Sequence, residues 1–110
     1  MICQHKALAE GKWFDLTFAQ QMANIGSEVF RAIMSRDKKD EKSADLSFER
    51  ALELIDLTLE DPKNRPRLRE ISRVRESFVD YFKYDNQYRQ TEESINQYFY
   101  NFNYLARIGV

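Results

Sequence analysis

Apolar residues recur at helical spacing in four separate segments of this chain, and that repetition leaves few folds open. Phe18, Met22, Ile25, Val29 and Ala32 follow one another at intervals of four, three, four and three. Phe48, Leu52, Ile55 and Leu59 do the same at four, three and four. Leu68, Ile71, Phe78 and Phe82 form a third set, and Ile95, Tyr98, Phe99, Phe102, Leu105 and Ala106 a fourth. Intervals of three and four place side chains on one face of an α-helix, where strands would need strict alternation. Only three Gly and two Pro interrupt 110 residues, and charged residues make up 32%. Few breakers and many charges suit long helices that each show one face to water. The expected fold is all-α: an antiparallel up-down four-helix bundle over residues 17–110, preceded by a short arm, residues 1–16. A chain of this length buries a core without needing a disulfide or a metal.

Punctuation places the helices. Thr17 with Gln20 three residues on is a capping-box pattern, so the first helix is expected over about 17–35. Ala19, Ala23 and Gly26 lie to one side of its apolar stripe and would let a neighbouring helix come close. Residues 36–42 read as a charged loop, and the second helix as about 44–60, ended by Asp61-Pro62, because the residue before a proline is pushed out of the α region. The third helix is expected to start near Arg65–Pro66, with Asn64 as its cap. Residues 84–90 read as a polar loop. The fourth helix, about 91–108, is capped by Thr91, with Glu92 and Glu93 at the positive end of its dipole. Residues 4–10 could form a short helical arm ended by Gly11, with Trp13 and Phe14 packed on the bundle.

Charge inverts across the turn at Pro62. Glu49, Glu53, Asp56 and Glu60 form one acidic stripe before it, and Arg65, Arg69 and Arg73 one basic stripe after it. Arginine suits bidentate contact with phosphate or carboxylate. The three are therefore candidate binding residues, with the acidic stripe, or Glu70 and Glu76, as the competing intramolecular partners. Arg75 falls on the apolar stripe of the third helix, where an unpaired cation would be costly. It is expected to be buried against a carboxylate, Glu28 or Asp56. Leu46, Leu54 and Leu57 lie opposite the apolar stripe of the second helix and read as a self-association surface, unless the N-terminal arm covers them. Tyr100 and Tyr104 likewise sit off the stripe of the fourth helix.

Several chemistries find no support. His5 is the single histidine, and the Glu-x-x-His pairs of bundle metal sites are missing, so neither metal nor other cofactor is expected. Cys3 stands two residues from His5 without an orienting carboxylate placed by sequence, and no Gly-rich phosphate loop or nucleophile elbow occurs, so no enzyme activity is expected. A single cysteine and no run of about 18 apolar residues point to a cytoplasmic protein without a membrane span. The net charge of −1 means that any binding of nucleic acid would come from a local patch.

The segments 18–29 (FAQQMANIGSEV), 50–61 (RALELIDLTLED) and 97–102 (QYFYNF) resemble a family of small prokaryotic helical proteins without an assigned activity. In architecture and size the chain is also similar to the four-helix bundles encoded in 23S rRNA intervening sequences and to accessory proteins of diversity-generating retroelements. Those resemblances imply a small oligomeric bundle. The second implies contact with nucleic acid and a reverse transcriptase through basic residues. The Arg-x-x-x-x-His signature of HEPN-type ribonuclease bundles is absent, so cleavage is not carried over. The expectations are a self-associating interaction protein or, alternatively, a nucleic-acid-binding accessory subunit.

Overall fold

Thr17 opens the first long helix as its sequence pattern requires. Its hydroxyl accepts from Gln20 N at 3.1 Å, and the Gln20 side chain accepts from Thr17 N at 2.9 Å. A computed structural model of the chain describes residues 11–109. The expected helical arm within residues 4–10, with Cys3 and His5, lies outside the described residues. A 3-10 turn, Lys12–Asp15, leads into helices α1 (Phe18–Asp37) and α2 (Glu41–Glu60). A second 3-10 helix, Pro62–Arg67, leads into α3 (Leu68–Lys83), and α4 is Glu92–Arg107. The described residues form a four-helix bundle. Among them no helix is long and apolar enough to cross a membrane.

Cross-helix contacts fix the antiparallel course. On α1 and α4, Phe18 meets Phe102 edge-on at 5.6 Å between ring centres, and Gly26 faces Phe99. On α2 and α3, Phe48 stacks on Phe82 at 4.8 Å, while Asp56 lies opposite Arg75. The main contacts run α1 with α2, α1 with α4, and α2 with α3. The outer helices α3 and α4 each rest on one inner helix and share little direct contact with each other.

Gly26 is required by close approach. A Cβ there would sit 2.7 Å from Phe99 Cβ, an atom fixed to the α4 backbone. Overpacking of that kind costs about 1–3 kcal/mol. It outweighs the roughly 1 kcal/mol of helix propensity that alanine would restore.

The starts of α2 and α3 differ from the sequence reading. Asp40 caps α2 by accepting from Ser43 N at 3.1 Å, so α2 starts at Glu41 and the expected loop shrinks to a tight turn with Lys39 at φ 61°. Residues expected to begin the third helix form the 3-10 helix instead. Asn64 does not cap: it is buried, and its amide donates to Gln21 Oε1 at 2.8 Å and to the Thr58 carbonyl at 3.0 Å. Leu68, expected in the core, is exposed at the first residue of α3.

The buried face of α2 is also turned from the one read. Phe48 and Ile55 of the expected stripe are buried, with Ala44, Ser47, Ala51, Glu53, Leu54, Leu57 and Thr58, while Leu52 and Leu59 are only partly so. Ala44, Ser47, Ala51 and Thr58 are small residues among the larger ones on this face. The expected self-association patch is thereby corrected. Leu54 (3% exposed) and Leu57 belong to the core cluster that includes Trp13, and Leu46 (41%) is left as a single exposed leucine. Glu53, read as part of the acidic stripe, is buried.

A polar network joins the 3-10 segments to the inner helices. Trp13 is fully buried and its indole N–H donates to Thr58 Oγ1 at 3.0 Å. Gln21 Nε2 donates to the Trp13 carbonyl at 3.0 Å and to Asp61 Oδ2 at 2.8 Å. Asp61 also accepts from Lys63 N at 3.1 Å and from the Lys63 ammonium. The turn at Pro62 is thus tied to α1 and to the start of the fold by side chains that hydrophobic periodicity does not mark.

Candidate functional site

The open seam between α3 and α4 follows from what each helix has to offer. Phe78 and Phe82 of α3 pack on Phe48 of α2, and the side of α3 that lines the seam also carries Arg69, Glu70, Arg73 and Ser77. Opposite stand Ser94 and Tyr98 of α4. Polar and charged side chains do not draw two helices together, so a cleft of about 700 Å³ remains. It lies within the range of about 300–1,000 Å³ that small-ligand clefts occupy. Its floor is apolar, built from Val74 and the edges of Phe78, Ile95 and Phe99. Pro66, Arg69 and Arg73 form one lip.

Two tyrosines furnish the walls. Tyr98 donates its hydroxyl to Glu70 Oε1 at 2.8 Å across the cleft. Burial and that carboxylate both push its pKa up, so it remains a protonated donor. Tyr88 stands at the mouth, on the connection between α3 and α4. Its N–H donates to Asp80 Oδ2 at 3.0 Å and its hydroxyl to Glu76 Oε2 at 3.2 Å. The bond to Glu76, foremost, raises the Tyr88 pKa. The connection is built to hold Tyr88 there. Asn86 and Arg89 take positive φ, 52° and 53°. The Asn86 side chain donates to the Gln90 carbonyl and accepts from Gln90 N, each at 2.8 Å. The segment expected as a polar loop is an ordered connection that places an aromatic ring.

Arg65, Arg69 and Arg73 are all exposed. Among the described residues no ion pair engages any of them. Neither the acidic stripe nor Glu70 and Glu76 holds these guanidinium groups; the two glutamates accept from tyrosine hydroxyls instead. Arg69 and Arg73 line the cleft, and Arg65 precedes the lip residue Pro66.

Arg75 departs from expectation in one respect. It bonds Asp56, one of the two partners considered, with Nε to Oδ1 at 2.9 Å. The pair is not buried, since the side chains are 38% and 52% exposed. A long side chain rooted on the apolar stripe reaches past its edge and keeps its head in water. Glu28 is buried but pairs with Arg31 on its own helix at 2.7 Å, and its Oε2 has no hydrogen-bond partner among the described residues. Arg75 and Glu28 are not brought together.

The sequence reading missed Tyr88 and the cleft itself, and placed Glu70 only as a competing partner of the arginines. Tyr98 was placed inward by periodicity, which is right in direction, but no pattern within one helix says that its neighbour across the seam stays away. Among the described residues no group of three or more His, Cys, Asp or Glu side chains is placed to hold a metal ion. The site offers cationic hydrogen-bond donors beside an apolar, aromatic-walled recess. No protein-family model, curated protein or solved structure matches the chain.

Proposed function

We propose that the protein is a cytoplasmic, non-enzymatic binding module that holds a nucleic-acid strand by its phosphates through Arg65, Arg69 and Arg73. One observation carries this reading: three exposed arginines on consecutive turns have no carboxylate partner among the described residues. A guanidinium without an internal partner keeps its donors for an external oxyanion, and its fork matches phosphate. The net charge of −1 makes this a local contact and not a property of the whole surface. The likeness in size and architecture to accessory bundles that bind nucleic acid points the same way.

Titration of a labelled oligonucleotide at several salt concentrations tests it. Log affinity should fall with log salt by about 0.7–0.9 per phosphate contact. The triple change Arg65→Gln, Arg69→Gln, Arg73→Gln should flatten that slope by about two units and weaken binding at low salt. An unchanged slope removes the arginines from the contact.

Self-association is the second reading, favoured by a different surface from the one expected. Phe30 (50% exposed) and Tyr100 (67%) flank a groove on the outer face of α1 and α4, with Tyr104 exposed one turn on. Exposed aromatics grouped on one face mark an interface more than single ones do. Light scattering at micromolar concentration should give a mass above 13.2 kDa that falls to the monomer in Tyr100→Glu. A monomeric wild type rejects this reading.

A further inference from the structure

We infer that the cleft between α3 and α4 receives an unpaired base of the strand whose phosphates the arginine lip holds, so that the ligand is single-stranded nucleic acid. This rests on the phosphate reading above and adds to it the chemistry of the recess beside the lip. Arg69 and Arg73 belong to both features: they are members of the free arginine stripe and lining residues of the cleft. A chain bound by its phosphates along this lip therefore carries its bases over the opening.

The recess suits a base in three ways. Its floor is apolar at Val74, Phe78, Ile95 and Phe99, so a planar ring leaving water is favoured there. Tyr88 and Tyr98 are among its aromatic lining residues, and each is held by a hydroxyl hydrogen bond before a ligand arrives. Fixed rings lose little freedom on binding, which favours affinity. The volume of about 700 Å³ leaves room for a base with its sugar.

Two alternatives fit less well. A duplex keeps its bases stacked and paired, so it could use the lip but leave the apolar floor empty. An acidic peptide could also meet the arginines, but it would bring no flat ring system to the apolar floor.

The test compares four probes on the wild-type protein by fluorescence anisotropy over a series of salt concentrations: a short labelled single-stranded oligonucleotide, the same strand with central abasic sites, its duplex, and a polyglutamate of matching length. Base stacking on aromatic side chains predicts that the intact strand binds about ten-fold tighter than the abasic strand or the duplex. Polyglutamate should bind more weakly still. Ser77→Phe, which fills the cleft from α3, should erase the difference between intact and abasic strands while leaving the salt slope unchanged.

If the intact strand, abasic strand and duplex bind equally with a normal salt slope, the phosphate reading stands and the base pocket is overturned. If none binds in a salt-dependent way, both fall. Polyglutamate binding as tightly as the intact strand overturns the nucleic-acid assignment. Should Ser77→Phe fail to fold by circular dichroism, the comparison of intact and abasic strands on wild type still decides.

Discussion

Replacing Trp13 with alanine is expected to lower stability by about 3–5 kcal/mol, the usual cost of truncating a large buried aromatic. A domain of this kind has only about 5–15 kcal/mol in total, so the loss is a large share of it. Trp13 lies outside every long helix, yet it is buried in the core cluster with Leu54, Leu57 and Ile55. Its indole N–H reaches Thr58 and its carbonyl receives Gln21, so alanine removes apolar contact and a buried hydrogen bond together. Trp13→Phe separates the two. It keeps most of the ring contact and loses the N–H, and should cost about 1–2 kcal/mol. Thr58 limits that loss, because its hydroxyl still donates to the Leu54 carbonyl at 2.7 Å. Urea unfolding followed by far-ultraviolet circular dichroism reads both variants without relying on the lost tryptophan. A Trp13→Ala midpoint close to wild type would show that the 3-10 turn Lys12–Asp15 contributes little to the bundle.

Asp61→Ala is expected to cost about 3 kcal/mol at neutral pH, as removal of one partner from a buried charged network does. Burial by itself would raise the pKa of this carboxyl. The hydrogen bonds from Lys63 and Gln21, with the Lys63 charge, outweigh burial and hold it below the ordinary carboxylate range. A depressed folded-state pKa gives stability that is fully present above the unfolded-state value of about 3.9. That stability is lost as pH falls through the folded-state value beneath it. The gap between wild type and Asp61→Ala should therefore be constant from neutral pH down to about 5 and narrow below about 4. Urea midpoints across that range check it. A gap unchanged into strong acid would mean that the carboxylate charge contributes nothing and that Asp61 acts through shape alone.

The large apolar stripes made most of the helices legible, and the capping residues Thr17 and Thr91 marked two starts. Gly26 announced the close approach of a neighbour, which proves to be α4. Legibility failed where burial is carried by small or polar side chains. On α2 the expected Phe48 and Ile55 are buried, but Ala44, Ser47, Ala51 and Thr58 are buried with them, and a search weighted towards large apolar residues puts Leu52 and Leu59 in their place. Nothing local reveals that Gln21, Asp61 and Asn64 are buried, since each finds its partners across the fold. Arg75 misled for another reason: helical phase locates a Cα, whereas the charge of an arginine sits several bonds away. The arginine stripe was legible as a face. That its guanidiniums meet no acid among the described residues depends on where the competing acids go, and Glu70 and Glu76 go to tyrosines that only the fold brings near.

The order of helix contacts carries a consequence for how the protein assembles and how a ligand acts on it. α1 with α2 and α2 with α3 are pairings between consecutive helices, whereas α4 docks on α1 from the far end of the chain. The first three helices can therefore condense through short loops, and the docking of α4 is the one helix pairing that must close a long one. Because α4 supplies one wall of the cleft, a ligand spanning both walls binds only the docked form. Each ten-fold excess of such a ligand over its dissociation constant then adds about 1.4 kcal/mol to the docking of α4. Occupancy of the cleft and completion of the fold are one linked equilibrium.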